Sequence, residues 1–411
     1  MVSERVRPRG GPGVTVPGER PPGERPAVRG RLLGLDVVRS IAILSMVFVH
    51  AWPTGWLTPM VAPDDPVPVL QFLNELISNR SLSLFVFCAG VSVALMTGGA
   101  RPPSGRAMTL ARRRLAVRSA AMFPLALLGL AIGEAVLLSF CLWFLLLLPV
   151  LRLRARPLFA AAAAFCLISP LYRYLQLNFA GEWAAPGDVY AILTNPGDWP
   201  AWAGYYLAGP DTPYAIPLLL AGMGLGRLDL GARTVRIRLM FAGTAVMAAS
   251  GLLSWLAAGP LGGTRALAQV VPAPPGDGRL PWITPLMMRP YGMFDVSVPM
   301  APMMIGLGLL LTGALLLAAD RPAGARLLWP LAATGSLALT CYAGHFALLM
   351  LLGAEPPSSF LVFAVVGLTL VVFSTVWRSR ARRGPLEWLT NRAVLWAVPA
   401  KSPSSPALKG E

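Results

Sequence analysis

The stretch "LDVVRSIAILSMVFVH", residues 35–50, decides the fold of this chain. It is an apolar run with Asp36 and Arg39 near its start and His50 at its end. With its flanking residues it has the length of a helix that crosses a hydrocarbon core of about 30 Å, which takes about 20 mainly apolar residues. A charged side chain costs about 2.5–3.5 kcal/mol at the centre of such a helix. The three ionisable residues are therefore expected near a helix end, in a pair or in a functional site.

The composition extends this interpretation to the whole chain. Of its 411 residues, 55% are hydrophobic and 13% are charged, and the mean hydropathy is +0.61. Soluble globular proteins carry about 25% charged residues. We therefore predict an all-α, polytopic integral membrane protein with about ten transmembrane helices. The predicted spans centre on Ile43, Val91, Leu125, Trp143, Phe165, Leu220, Val246, Leu307, Ala338 and Val366.

The net charge of +16 would suit a nucleic-acid partner, but its distribution indicates membrane topology instead. Most Lys and Arg residues lie in the two tails and in every second loop, as the positive-inside rule requires. We expect both termini in the cytoplasm, an uncleaved first span and no nucleic-acid partner. Residues 1–30 are predicted to form a disordered cytoplasmic tail, residues 31–378 the membrane domain and residues 379–411 a cytoplasmic C-terminal tail. The four cysteines lie inside predicted spans without the close spacing of metal ligands, so we expect neither a disulfide nor a metal.

Asp36 and Arg39 stand three residues apart and share one face of the first helix. One interpretation is a pair that anchors the cytoplasmic end of this helix. Another is an anion site, in which Asp36 orients Arg39 towards a group such as a phosphate. His50 lies about 16 Å further along the axis and on a similar side of the helix. It is either a polar residue of the membrane boundary or a catalytic group.

His345 is the second of two histidines, and we expect it at a depth comparable with that of His50. Tyr342, three residues earlier, lies on the same helix face. The imidazole of His345 either faces an extracytoplasmic cavity or bonds to a neighbouring helix. The outward loops, residues 176–212 and 259–296, combine aromatic and acidic side chains, which suits a sugar and equally suits the aromatic belt of a membrane interface.

Four stretches resemble a known family. "LDVVRSIAILSMVFVHAW" and "SLSLFVFCAGVSVALMTG" resemble the opening of the transmembrane acyltransferase superfamily, whose first helix reads Leu-Asp-x-x-Arg-x-x-Ala and runs to a histidine. Within it, the pattern is similar to the heparan-alpha-glucosaminide N-acetyltransferase-like branch and its uncharacterised bacterial relatives. "TGSLALTCYAGH" (334–345) and "RRGPLEWLTNRAV" (382–394) resemble the penultimate-span and C-terminal signatures of the bacterial members. The chain departs from these relatives at the fourth span, where only Glu134 stands near their acidic position.

The resemblance implies acyl transfer across the membrane, from cytoplasmic acetyl-CoA to a sugar amine or hydroxyl of an extracytoplasmic glycan. The histidine of the first helix would be His50, acting either as a general base or as a covalent acyl relay. An unperturbed imidazole, with a pKa of about 6.5, can accept a proton near neutral pH. His345 is a second catalytic candidate. The donor phosphates would meet Arg39, oriented by Asp36. A second group of candidates for the same donor is Arg112, Arg113 and Arg114. The candidates for binding the acceptor are Asn79, Arg80 and Tyr342.

Two other functions fit parts of the pattern. A multi-span transporter of a small polar or anionic solute would also need buried ionisable residues, here as gates or proton relays. A noncatalytic scaffold would tolerate the loss of both histidines. The preference for Arg over Lys and the abundance of Ala, Gly and Pro suggest a bacterial plasma membrane, and the sequence is compatible with a homodimer in the lipid bilayer.

Overall fold

The computed structural model describes residues 32–51, 80–130, 136–181, 186–187, 191–270, 279–288, 296–352 and 360–398. Within these ranges the chain is helical and has no β-strand, as the composition predicts. The α-helices are α1 (Leu33–Ala51), α2 (Arg80–Met96), α3 (Gly105–Leu130), α4 (Val136–Leu146), α5 (Ala155–Phe179), α6 (Ala191–Thr194), α7 (Trp199–Ala208), α8 (Asp211–Gly226), α9 (Arg233–Ala258), α10 (Gly263–Ala268), α11 (Met300–Ala319), α12 (Pro322–Ser336), α13 (Ala338–Leu351), α14 (Phe360–Arg380) and α15 (Pro385–Ala397).

Every residue on which a predicted span centres lies within a helix. Five helices of the described ranges are long and apolar enough to cross a membrane, namely α1, α5, α9, α11 and α14. The pair α12 and α13, bent by 77°, makes a sixth if it is one broken span, and the apolar helices α2 and α4 are shorter. The chain is thus a multi-pass membrane protein. The count of about ten spans and the cytoplasmic side of both termini stay predictions.

Helix α1 lies among the helices that build the functional site. It packs against α2, α11, α12 and α14, and its residues Val37, Val38 and Val47 are fully buried. The backbones of α1 and α12 meet at Gly335, where a Cβ atom would clash with the carbonyl oxygen of Asp36. Small residues permit such close approach of helices in membranes. Glycine at 335 therefore sets how close α12 lies to the start of α1.

Glycines also permit close backbone contact in two other helix pairs. In α8, a Cβ at Gly222 would clash with the carbonyl oxygen of Phe87 in α2. In α9, a Cβ at Gly243 would lie 2.5 Å from the carbonyl oxygen of Gly306 in α11. These contacts hold α2 against α8 and α9 against α11, since dispersion forces grow as the backbones approach.

The span predicted around Ala338 is not one straight helix. Leu337, at the junction of α12 and α13, has φ −110° and ψ 40°, which is outside the helical region. The residues after it begin a new helix, so their amides lack the carbonyl partners of a preceding turn. Glu387 of α15 accepts hydrogen bonds from two of these amides, Leu339 N at 2.7 Å and Thr340 N at 3.1 Å. A carboxylate more than 45 residues away in sequence thus stabilises the bend.

Residues 385–397, which the sequence placed within the C-terminal tail, form α15 and pack against α3 and α13. The hydroxyl of Thr340 donates to Glu387 Oε2 at 2.5 Å and accepts from Leu386 N at 3.2 Å. Gly384 directly precedes this helix, and a Cβ atom at this position would lie only 2.7 Å from Thr340 Oγ1. The "GPLEWL" stretch therefore serves to dock α15 on the start of α13. Residues 1–30, the predicted disordered tail, and residues 399–411, the end of the predicted C-terminal tail, lie outside the described residues.

A buried arginine ties together two connecting segments. Arg227, just after α8, donates to the carbonyl oxygens of Ala94, Thr97 and Gly99 at 2.9–3.0 Å. It also donates to Thr97 Oγ1 at 3.0 Å and to the carbonyl oxygen of Leu151 at 2.5 Å. Burial lowers the pKa of Arg227 to about 10, so the guanidinium stays charged at neutral pH. It acts as a structural clamp, because its charge is spread over five oxygens.

Candidate functional site

A cavity of about 310 Å³ lies between α1, α2, α3, α4, α12, α13 and α15. Most of its wall is apolar, with Phe85, Phe140 and Phe144 contributing aromatic rings. The polar side chains that line it are Arg39, Ser92, Arg118, Ser336, Tyr342 and Glu387. An apolar pocket with a few convergent polar groups is the usual form of a ligand site.

Arg39 lines the cavity from α1. Its Nη1 donates to Asp36 Oδ1 at 2.6 Å, as the three-residue spacing predicted, and its Nη2 donates to Ser92 Oγ at 3.0 Å. The Ser92 hydroxyl in turn donates to the carbonyl oxygen of Cys88, 2.7 Å away. The side chain of Asp36 is 5% exposed and that of Arg39 is 19% exposed. The guanidinium is therefore oriented on two sides while part of it stays open to the cavity.

Tyr342 lines the cavity from α13 and connects it to both histidines. Its ring stacks on Phe85 at 5.9 Å and meets the ring of His345 edge-on at 5.6 Å. The ring of His345 lies 5.4 Å from that of His50 and 3.9 Å from that of Phe346, between ring centroids. The histidines, 295 residues apart in the sequence, thus form a pair behind Tyr342.

The two imidazoles differ in exposure. His345 is completely buried, and within the described ranges neither of its ring nitrogens has a hydrogen bond of good geometry. His50 is half-buried at the end of α1. A buried imidazole next to a more accessible one can orient it or exchange a proton with it. Neither histidine is among the described residues that line the cavity. The pair adjoins the cavity through Tyr342, which contacts His345, and is suited to proton transfer beside it.

A larger cavity of about 550 Å³ lies on the other face of the α3–α4 pair. Its lining includes Ser119, Cys141, Trp202 and Tyr206 but no charged side chain among the described residues. The smaller cavity, which combines arginines, a carboxylate and the tyrosine beside the histidines, is the better candidate for chemistry.

The comparison with protein families agrees with the resemblance. Residues 31–249, more than half of the chain, match a family described as heparan-alpha-glucosaminide N-acetyltransferase, catalytic. The chain belongs to this family. Residues 282–397 match a second family, described as a protein of unknown function (DUF418). No curated protein matches the chain.

Membership of the N-acetyltransferase family gives the chain a transmembrane acetyltransferase-type function. Both matched regions build the smaller cavity. The N-acetyltransferase region supplies Arg39, Ser92 and Arg118, whereas the second region supplies Tyr342 and Glu387. The site therefore needs both regions in place.

Other candidate residues lie elsewhere in the chain. The described lining of the cavity does not include Arg112, Arg113 or Arg114. Arg112 Nε donates to the carbonyl oxygen of Leu148 at 3.1 Å, and Arg113 is exposed on α3. Asn79, the side chain of Arg80 and Glu134 lie outside the described residues. A role for any of these in binding the donor or the acceptor stays a prediction.

Four polar residues of the cavity were not singled out for the site from the sequence, namely Ser92, Arg118, Ser336 and Glu387. Arg118 lies one helical turn after Arg114 on α3. Membrane topology already explains basic residues at this place in the sequence, so nothing marked Arg118 for a site. Glu387 was quoted as part of a family signature, but its contact with α13 spans 47 residues of sequence. Ser92 is one of many small polar residues in apolar helices. Among the described residues, no three His, Cys, Asp or Glu side chains cluster as metal ligands.

Proposed function

We propose that this protein transfers an acetyl or other short acyl group from cytoplasmic acyl-CoA to an amine or hydroxyl of an extracytoplasmic glycan. The proposal rests above all on one cavity that has arginines in its wall and, at Tyr342, adjoins a pair of histidines. Because α1 is continuous from Arg39 to His50, the two residues are separated by about 16 Å along its axis. A donor with a long arm suits that separation.

The walls of the cavity fit the parts of an acyl-CoA. The guanidinium of Arg39 suits a phosphate, since arginine donates several hydrogen bonds in a fixed plane. The rings of Phe85 and Phe140 and the side chain of Leu339 suit the methyl and methylene groups of the arm that carries the thioester. The thioester would then lie near Tyr342, whose phenol is suited to hydrogen bonding with the carbonyl oxygen as negative charge develops there.

The histidine pair would supply the proton transfers. In direct transfer, an imidazole accepts a proton from the acceptor, and the freed amine or hydroxyl oxygen attacks the thioester carbonyl carbon. The new C–N or C–O bond forms, the C–S bond breaks, and the CoA thiolate takes the proton from the imidazolium. In the relay variant, a ring nitrogen of His50 attacks the thioester carbon, the C–S bond breaks and CoA leaves as a thiolate. The acceptor then attacks the acyl-imidazole, the bond between the acyl carbon and His50 breaks, and the proton of the acceptor restores the charge balance of the thiolate. His345 would position His50 in either case.

A transporter of a small polar or anionic solute is the second candidate. It is favoured by the bend of 77° between α12 and α13, because broken helices commonly form the solute sites of transporters. The acyltransferase proposal accounts in addition for the match with the N-acetyltransferase family. We further propose that the protein resides in a bacterial plasma membrane with both termini in the cytoplasm.

The test uses the purified full chain in lipid vesicles with radiolabelled acetyl-CoA and a glycan mixture. We expect label on the glycan, and we expect His50→Ala to lower the rate about 100-fold or more, the usual effect of removing a general base. Thr369→Ala, an exposed change on α14, is the matched control and should leave the rate unchanged. Undiminished transfer by His50→Ala would remove the proposed catalyst. Solute flux without any transfer would favour the transporter.

A further inference from the structure

Two buried arginines among the described residues, Arg227 and Arg236, donate several hydrogen bonds to protein oxygens. Arg227 donates to carbonyl oxygens and a hydroxyl on two segments. Arg236 donates to the carbonyl oxygen of Leu230 at 2.7 Å and to both carboxylate oxygens of Asp320 at 2.5 and 2.6 Å. Such hydrogen bonds are expected, because an unpaired cation away from water is costly.

Arg118 departs from this pattern. It is half-buried on α3 and lines the smaller cavity, yet in the described part of the chain its guanidinium has neither a hydrogen bond nor a salt bridge. Arginine carries five N–H donors. A guanidinium with unused donors in a largely apolar cavity is therefore prepared for an anion that the protein itself does not supply.

The carboxylates near Arg118 are already committed to other groups. The charged residues that act on Arg118 electrostatically are Glu387, Arg39 and Arg383. Both oxygens of Glu387 accept hydrogen bonds from the start of α13, and Asp36 is paired with Arg39. Two arginines thus line one cavity: Arg39 is paired with Asp36, whereas the carboxylate of Glu387 is hydrogen-bonded to α13 and not to Arg118. This arrangement leaves room for the negative charge of a ligand.

We infer that Arg118 and Arg39 together bind phosphate groups of the acyl donor, with Arg118 as a donor-binding residue. This inference deepens the proposed function and rests on it. An acyl-CoA carries its phosphates at the end remote from the thioester, so phosphates held by Arg118 and Arg39 let the arm run along the aromatic wall towards Tyr342. The basic residues Arg112, Arg113 and Arg114, which do not line the cavity, are not needed for this contact.

The experiment compares two donors that differ in phosphate. Acetyl-CoA carries phosphates, whereas S-acetylpantetheine has the same thioester arm without them. For Arg118→Gln we expect the KM for acetyl-CoA to rise about 10-fold or more, as for a lost hydrogen bond to a charged group, with kcat little changed. The KM for S-acetylpantetheine should stay the same. For Arg118→Lys the KM for acetyl-CoA should lie between those of the native protein and Arg118→Gln, because lysine keeps the charge but not the planar geometry.

Arg106→Gln is the matched control, since Arg106 is exposed on the same helix. It should change neither KM. An equal effect of Arg118→Gln on both donors would assign Arg118 a merely structural role and overturn the inference, and so would an unchanged KM for acetyl-CoA. Those results would leave the proposed function intact.

Calorimetric titration of CoA into nanodiscs of neutral lipid separates the two proposals. If CoA binds and Arg118→Gln weakens the binding about 10-fold while no acceptor is acetylated, the phosphate site stands and the proposed function fails. If Arg118→Gln leaves CoA binding unchanged but lowers the affinity for anionic lipid, the arginine serves lipid head groups and the inference is wrong.

Discussion

Replacing Glu387 by alanine removes the acceptor of three hydrogen bonds at the start of α13. The donors are Leu339 N, Thr340 N and Thr340 Oγ1, at 2.7, 3.1 and 2.5 Å. A protein hydrogen bond contributes about 1 kcal/mol net, and more when the acceptor is charged, but Glu387 is half-buried. Three bonds at about 1 kcal/mol each amount to a loss of about 3 kcal/mol in the free energy of local opening.

Amide hydrogen exchange measures this loss directly. A decrease of about 3 kcal/mol corresponds to about 100-fold faster exchange at Leu339 and Thr340. We expect that increase in Glu387→Ala, measured by mass spectrometry on the full chain in nanodiscs. Glu387→Gln keeps an amide oxygen of similar shape, so its exchange should rise less than about 10-fold.

Asp229→Ala is the control for this measurement. Asp229 is also a carboxylate that accepts a backbone hydrogen bond, from Gly231 N at 3.1 Å, but it lies in a loop after α8. Its replacement should not alter exchange in α13. If Glu387→Ala leaves Leu339 and Thr340 as protected as in the native chain, the carboxylate does not hold the bend, and our account of the "GPLEWL" stretch is refuted.

Two further changes test the packing. Gly335→Ala would place a Cβ against the carbonyl oxygen of Asp36 and 2.8 Å from Ser40 N, so we expect loss of the folded peak in size-exclusion chromatography. Gly344→Ala, whose Cβ would meet Leu370 at an ordinary 3.6 Å, should elute like the native protein, and equal profiles for both would contradict the close approach of α1 and α12. Arg227→Met should lower the apparent melting temperature by several degrees, because it leaves buried carbonyl oxygens unpaired. Arg233→Met, at an exposed position, is its control. Equal shifts in melting temperature for the two variants would show that the hydrogen bonds of Arg227 do not stabilise the fold.

Local features were predictable from the sequence. Apolar length predicted the helices, because a hydrocarbon core requires it. The contact of Asp36 with Arg39 followed from helix geometry alone, since residues three apart share a face. The placement of Tyr342 beside His345 followed in the same way. The neighbourhood of the two histidines agrees with the expectation of comparable depth.

Features that depend on contacts between distant segments were not predictable. The window around Ala338 is apolar on average, so its mean hydropathy does not show a bend at Leu337. The bend depends on Gly335 meeting α1 and on Glu387 arriving from α15. The orientation of Arg118 likewise follows from how α3 packs against α4 and α15. Periodicity describes one helix at a time and carries no information on such partners.

The docking of α15 has a consequence for biosynthesis. Ribosomes make the chain from its N-terminus, and its segments insert in that order. Arg39, Arg118 and both histidines are therefore translated before Glu387. Until then the amides of Leu339 and Thr340 have no carboxylate, and one wall of the cavity is missing. The nascent protein completes its pocket only when this late helix leaves the ribosome, which keeps a half-made chain from presenting a finished site.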